Sequence, residues 1–188
     1  MLSLLKAARA AFEAVPEAAL FLADWPEPVV SRALEPEALP VCRWLEGLGG
    51  IAGMVRDAGL AWRQTYGAGD FGAKFLAGYG WSEFVGLRGP VASDRIACGV
   101  LVLAPGILYP AHSHEAEEVY LPVHGVADWM KGDGPFAAVP VGQGIHHPSW
   151  VPHAMRVGVE PVVALYLWRG GDLAAKSVIL GDRAAAPR

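Results

Sequence analysis

The segment 106–125 constrains the fold of this chain more than any other part of the sequence. It reads GILYPAHSHEAEEVYLPVHG, in which His112 and His114 are two residues apart, as are Glu118 and Tyr120. Side chains two residues apart in an extended strand point to the same face of a sheet. Two neighbouring strands joined by a tight turn would bring two imidazoles and a carboxylate together. This mixed set of nitrogen and oxygen donors is typical of a metal site.

A second stretch, GQGIHHPSWVPH, runs from Gly142 to His153 and adds a further histidine. Together the two stretches resemble the two motifs of the cupin family. The first motif, G(X)5HXH(X)3E(X)6G, is matched at all of its fixed positions. The second, G(X)5PXG(X)2H(X)3N, is matched at Gly142, Pro148 and His153. It is not matched at Trp150 and Val157, where the family usually has glycine and asparagine.

The cupin resemblance implies one bound divalent transition metal. The ligands that it implies are His112, His114, Glu118 and His153. The donor types leave the element open among iron, zinc and manganese, because imidazole suits the first two and a carboxylate admits the third. His124, His146 and His147 match no ligand position. We interpret them as ordinary strand or loop residues, one of which could serve as a hydrogen-bond partner of a ligand.

Length and composition predict one packed globular protein. The chain has 188 residues, of which 53% are hydrophobic and 18% charged. A formal net charge of −4 and the lack of a basic block argue against a nucleic-acid partner. Cys42 and Cys98 form no CxxC pair and are interpreted as buried thiols. The N-terminal segment fits an amphipathic helix better than a signal peptide, and no stretch is apolar enough to span a membrane. We expect a soluble, cytoplasmic protein.

Apolar spacing predicts helices in the first part of the chain and strands in the rest. One helix is predicted over 1–24, with a break or restart at Pro16, and a second over 37–59. The segment 60–80 is interpreted as a short helix or irregular. Candidate strands are 82–87, 96–104, 107–114, 118–123, 126–130, 136–141, 145–147, 151–157 and 161–169.

A run of strands after a run of helices predicts a mainly β fold. The expected architecture is a closed antiparallel β-barrel of the cupin type (a double-stranded β-helix) over 81–188. Residues 1–80 would form an N-terminal α-helical extension of this barrel. The last five residues are expected to fray.

Tyr120 is the aromatic residue nearest to the expected ligands, since it lies two positions after Glu118. A tyrosine in a strand is usually a packing residue. Beside a divalent cation, however, its phenol would be acidified from a reference pKa near 10. Tyr120 is therefore a candidate for a fifth metal ligand or a general base. Tyr109 and Trp168 could complete an aromatic wall or belong to the core.

A narrower resemblance rests on these residues. The chain is similar to the cupin-type dimethylsulfoniopropionate (DMSP) lyases of marine bacteria. The matching positions are Tyr109, His112, His114, Glu118, Tyr120, His153 and Trp168. The resemblance implies that His114, Glu118 and His153 bind the metal, with the first histidine of the HxH pair at or beside it. It also makes Tyr120 the proposed base and assigns the other two aromatic residues to the substrate pocket.

The implied reaction is a β-elimination that turns DMSP into dimethyl sulfide and acrylate. A metal that holds the substrate carboxylate would stabilise the charge that develops when the neighbouring carbon loses its proton. The sulfonium cation would favour the aromatic faces of Tyr109, Trp168 or Trp150, at roughly 0.5–2 kcal/mol per contact.

Two other classes of function stay open from the sequence. One is a different metal-dependent cupin enzyme acting on a small carboxylate, such as a non-haem iron dioxygenase or an isomerase. The other is a non-enzymatic sensor or binding module. In either case the expected partner is a small molecule, without nucleic acid or membrane. The sequence leaves a homodimer open.

Overall fold

The computed structural model describes residues 1–181, and the predicted frayed end at 184–188 lies outside this range. Within it, eleven strands form two sheets. The strands are β1 (Tyr79–Gly86), β2 (Val91–Ala92), β3 (Ile96–Leu103), β4 (Leu108–Ser113), β5 (Glu117–His124), β6 (Ala127–Lys131), β7 (Ala137–Val139), β8 (Ile145–His147), β9 (His153–Val157), β10 (Val162–Arg169) and β11 (Val178–Ile179). The six-stranded sheet has the order β2-β1-β3-β10-β5-β8, and the five-stranded sheet has the order β11-β4-β9-β6-β7. All pairs are antiparallel except the short β1–β2 pair.

The six-stranded sheet is covered on both faces, which explains why its central strands β3 and β10 are apolar along almost their whole length. One face turns into the barrel, and the other packs against the N-terminal helices. Residues that pack against the helical layer are Cys98, Val100, Val102, Val119, Leu121, Val163, Leu165 and Leu167. Residues of the same strands that face the barrel interior are Ala97, Leu101, Leu103, Tyr120, Ala164 and Tyr166.

Residues 1–181 contain four α-helices, and one predicted helix was wrong. The α-helices are α1 (Leu2–Glu13), α2 (Ala19–Leu22), α3 (Gly50–Asp57) and α4 (Ala73–Ala77). The predicted helix over 37–59 is instead a 3₁₀ helix, Pro40–Leu45, followed by α3. The two are separated because Gly47 and Gly50 have φ of 75° and 58°, a left-handed backbone that stops a right-handed helix. The 3₁₀ helix and α3 both bury apolar side chains in the same core. Their combined apolar spacing therefore resembles that of one long helix.

The prediction of a mainly β fold with helix at its N-terminal end is confirmed. The predicted restart at Pro16 is a 3₁₀ helix, Pro16–Ala18, between α1 and α2. All of the predicted strands are present, whereas β2 and β11 were missed because strands of two residues have no detectable alternation. The predicted boundary at residue 80 falls just inside β1, which begins at Tyr79. Within residues 1–181 the structure has no helix long and apolar enough to cross a membrane.

Candidate metal site and its cavity

The two motifs meet where the two sheets of the barrel face each other. Glu118 and Tyr120 lie on β5 of the six-stranded sheet. His112 lies on β4 and His153 begins β9, and these two residues are paired across the five-stranded sheet. His114 follows β4 directly. The turn between β4 and β5 therefore connects the two sheets and brings His114 opposite the carboxylate.

Three side chains converge on one carboxylate oxygen. Nε2 of His114 lies 3.1 Å from Oε2 of Glu118, and Nε2 of His153 lies 3.3 Å from the same atom. One donor atom from each of the three residues lies within 4.8 Å of the other two, and all three side chains are buried. This is the geometry of a group that can surround a single ion.

The backbone orients both imidazoles toward this point. Nδ1–H of His114 donates to the carbonyl oxygen of Ala116 at 2.8 Å, and Nδ1–H of His153 donates to that of Val151 at 3.0 Å. Because a carbonyl oxygen only accepts, these bonds place a proton on Nδ1 and make Nε2 the nitrogen of each ring that could bind a metal. Nε2 of His153 is buried without a hydrogen-bond partner in the part of the chain that the structure describes. A metal ion fits these donors, because it would give the buried Nε2 of His153 the partner that it lacks.

Glu118 is held in its ionised form. Burial opposes ionisation, but the neighbouring imidazoles, His114 first and then His153, outweigh it, so that the pKa of Glu118 lies well below its usual value. The same interaction raises the pKa of His114 against the effect of burial. The indole N–H of Trp168 donates to Oε1, the second oxygen of Glu118. The carboxylate is therefore charged and held at both oxygens, as a metal ligand should be.

His112 lies beside the three-residue group and not within it. Its Nδ1–H donates to the carbonyl oxygen of Pro110 at 2.8 Å, and its ring stacks on Tyr109 with 4.0 Å between centroids. The centroid of the His153 ring is 4.1 Å away. Burial, and then the neighbouring His153, hold the pKa of His112 well below its usual value, so this imidazole is neutral.

His147 is the residue that sequence reasoning missed. It is 0% exposed, and neither of its ring nitrogens has a hydrogen-bond partner within residues 1–181. Its ring stacks on that of His153 at 4.2 Å, and its Nδ1 lies 3.9 Å from Oε2 of Glu118. The pairing of β8 with β5 places it opposite Glu118. Nothing in the sequence gives that register. By contrast, His146 is half-buried and bonds Glu117 at 2.7 Å.

A cavity of about 340 Å³ opens next to the group. Tyr109, Tyr120 and Trp168 line it, together with His114 and Glu118.

Trp150 is not brought into this cavity. Its side chain is 55% exposed and is absent from the cavity wall, so the structure gives no support to the expected contact with substrate. Its φ of 61° explains the family's preference for glycine at this position, because the turn requires a left-handed backbone. The turn is nevertheless formed, since the N–H of Val151 donates to the carbonyl oxygen of Pro148 at 3.1 Å. The departure from the motif therefore leaves the position of His153 intact.

A two-sheet barrel that holds two histidines and a glutamate at its interior defines a cupin with a candidate metal site. Comparison with known proteins narrows this class. The family model of the dimethylsulfoniopropionate lyases matches residues 22–164. The chain belongs to this family.

Relatives and solved structures agree with the assignment. The chain is 37% identical over 131 residues to dimethylsulfoniopropionate lyase DddQ of Ruegeria pomeroyi, and 32% identical over 129 residues to putative dimethylsulfoniopropionate lyase DddL of Cereibacter sphaeroides. Each alignment covers 66% of this chain, and they span 65% and 54% of the two relatives. The crystal structure of DMSP lyase DddQ from Ruegeria pomeroyi superimposes with a TM-score of 0.84 at 30% identity, covering 95% of each chain.

Proposed function

We propose that this chain is a metal-dependent carbon–sulfur lyase that cleaves DMSP by β-elimination. The observation that carries the proposal is the convergence of His114 and His153 on Glu118, beside a cavity, in a member of the DMSP lyase family. The reaction removes a proton from the carbon next to the substrate carboxylate. The electron pair of that C–H bond forms the double bond of acrylate, and the C–S bond breaks to release neutral dimethyl sulfide.

His114, Glu118 and His153 would hold one divalent ion, with iron, zinc and manganese as the candidates. When bound, the ion would act as a Lewis acid toward the substrate carboxylate and stabilise the enolate-like charge. His112 stays a predicted fourth ligand. Its ring is already beside His153, and its protonated Nδ1 leaves Nε2 as the only nitrogen that could serve.

Tyr120 would take the proton. It is buried at the cavity wall, on the same face of β5 as Glu118. Burial and the Glu118 charge raise the pKa of its phenol well above the usual value in the protein without metal. A metal ion bound by the neighbouring ligands would lower this pKa instead, because a cation favours the phenolate. Tyr120 would therefore act as a base only when the site holds its metal ion.

The aromatic wall would exclude water from the reacting carbon. Trp168 offers a ring face, because its N–H is already used by Glu118. The hydroxyl groups of Tyr109 and Tyr66 are joined by a hydrogen bond of 3.0 Å, so the hydroxyl of Tyr109 is also occupied. Both side chains therefore present mainly apolar surface to the substrate.

The test is product analysis by proton NMR of metal-reconstituted protein supplied with DMSP. We expect acrylate and dimethyl sulfide in equal amounts. Tyr120→Phe should retain the metal and lose at least about 100-fold in turnover, since general-base catalysis typically contributes 10²–10⁴-fold. Undiminished turnover in this variant would remove Tyr120 as the base. Metal-loaded protein that forms neither product would contradict the proposed function, and oxygen consumption with bound iron would then favour a dioxygenase.

A further inference from the structure

A second buried carboxylate faces the cavity from the wall formed by β1. Glu83 is only 4% exposed, and it lines the cavity together with Tyr79 and Trp81 of the same strand. These three residues alternate along β1, so all of them point into the barrel. The proposed elimination gives Glu83 no part, and a buried carboxylate requires an explanation because its burial is costly.

The protein satisfies only one oxygen of Glu83. Oε1 accepts the backbone N–H groups of Arg88 and Gly89, the latter at 2.9 Å. This oxygen therefore holds the loop after β1 in place. Oε2 has no hydrogen bond within residues 1–181. A glutamine could fill the structural role of Oε1 equally well, because an amide oxygen accepts the same two bonds. The loop therefore does not explain the negative charge.

Nearby arginines do not neutralise this charge directly. Arg63, Arg88 and Lys176 also line the cavity. The two arginines lower the pKa of Glu83, but neither forms an ion pair with it within 4.0 Å in the described part of the chain. The guanidinium group of Arg88 instead donates to the carbonyl oxygen of Ala174 at 2.9 Å. Burial raises the pKa of the Glu83 carboxyl, against the opposing effect of the Arg88 and Gly89 amides. A cation in the cavity would offset this cost of burial.

Aromatic rings lie between Glu83 and the candidate metal site. Glu83 pairs with Gly99 on β3, and Gly99 pairs with Tyr166 on β10. A Cβ atom at Gly99 would lie 2.5 Å from Oη of Tyr166, so the absence of a side chain there lets the phenol ring cross over β3 toward Glu83. The Trp168 ring follows, with its centroid 6.1 Å from that of Tyr166.

Glu83 and Glu118 both line this cavity. Tyr166 pairs with Tyr120 on β5, which puts Glu83 three strand spacings from the strand of Glu118, about 14 Å along the curved sheet. Both side chains project inward, which shortens the gap between them. Burial and then the Glu83 charge raise the pKa of the Tyr166 phenol well above its usual value, and Glu118 acts in the same direction.

We infer that Glu83, Tyr166 and Trp168 form a binding subsite for the cationic end of a zwitterionic substrate. The group of His114, Glu118 and His153 takes the carboxylate end. The identification of the cation as dimethylsulfonium rests on the proposed function. The subsite itself rests on the unpaired carboxylate and the aromatic faces beside it, which together recognise any small sulfonium or quaternary ammonium group.

The test compares two ligands of the same shape. 3-(Trimethylammonio)propionate and 4,4-dimethylpentanoate share a carboxylate and a branched end, and they differ in the charge at that end. Both are titrated into metal-loaded protein by isothermal calorimetry. We expect the wild-type protein to bind the cationic ligand at least about tenfold more tightly. Glu83→Gln should remove most of this preference while leaving the affinity for the neutral ligand within about threefold. Glu13→Gln, which removes an exposed carboxylate on α1, is the control and should retain the full preference.

Two results would overturn the inference: equal binding of the two ligands by the wild-type protein, or an undiminished preference in Glu83→Gln. If Glu83→Gln does not fold, as judged by circular dichroism, Tyr166→Leu is measured in its place. Tyr166→Leu removes an aromatic face and should lower the preference for the cationic ligand several-fold. An unchanged preference would overturn the proposed subsite. Neither of the two ligands has to be turned over in this test. Failure of the proposed function is therefore detected separately, as DMSP that is bound and not cleaved.

Discussion

Replacing Trp168 with phenylalanine removes one hydrogen bond from the candidate metal site and little else. The indole N–H of Trp168 donates to Oε1 of Glu118, while its ring lies against the imidazole of His114 with 4.2 Å between centroids. Phenylalanine retains a ring at this position but has no donor. Because Glu118 is fully buried, no bulk water replaces the lost bond. The carboxylate is then free to turn away from the orientation in which Oε2 faces the two histidines.

The expected size follows from the charge on the acceptor. A hydrogen bond to a charged group contributes roughly 1.5–3 kcal/mol. If all of this energy holds the carboxylate in its ligand orientation, the dissociation constant of the metal rises about 10–150-fold, at 1.4 kcal/mol per factor of ten. This agrees with the 10–100-fold loss that is typical when a partner of a metal ligand is removed.

The assay is metal content at equilibrium against chelator-buffered free metal, measured by mass spectrometry. Trp129→Phe is the matched control. Trp129 also lies near the site, with its ring 5.0 Å from that of Tyr120, but its Nε1 has no partner in the described chain. This variant should retain a dissociation constant within about threefold of wild type. If Trp168→Phe binds metal as tightly as Trp129→Phe, the hydrogen bond to Glu118 does not position the ligand.

Two further predictions concern stability. Gly125→Ala should destabilise the fold by about 2–5 kcal/mol, because it combines a left-handed φ of 74° with a Cβ only 2.0 Å from the carbonyl oxygen of Pro161. Gly106→Ala, with φ of 68° and only an ordinary contact of 3.7 Å to Nζ of Lys74, should cost about 1–2 kcal/mol. Urea unfolding of the two variants checks this, and equal losses would contradict it. The metal-free protein should also lose stability as the pH falls below about 6.5, by at most about 2.7 kcal/mol per pH unit. Burial holds the pKa values of His112 and His147 well below this value, so that only the unfolded chain takes up their protons. A constant free energy of unfolding between pH 7 and pH 5 would refute this.

The barrel and the ligand group could be predicted because their signals are local. The strands appear in the sequence as short apolar runs separated by glycine, proline and aspartate. The two-residue spacing of His112 and His114, and of Glu118 and Tyr120, predicts which side chains share a face on each side of a tight turn. The second motif located His153 for the same reason. The glycines between residues 46 and 50 also carried information, but the prediction of one helix gave more weight to apolar spacing than to their freedom to adopt a left-handed backbone.

The rest of the site depends on contacts between distant segments. His147 comes opposite Glu118 only through the register of β8 against β5, and a strand of three residues does not determine its own register. Alternation along β1 predicts the face of Glu83. Its relation to Tyr166 nevertheless requires the order of three strands and a glycine at position 99.

The most direct test of the account is a metal titration of DMSP cleavage. Metal-free protein receives increasing amounts of iron, zinc or manganese, and dimethyl sulfide in the headspace is measured by gas chromatography. We expect negligible release of dimethyl sulfide without metal. The release should rise linearly with bound metal and reach a plateau at about one ion per chain. His153→Ala should bind metal weakly and release little gas. Equal release with and without metal, or none from fully loaded protein, would contradict metal-dependent elimination at this site.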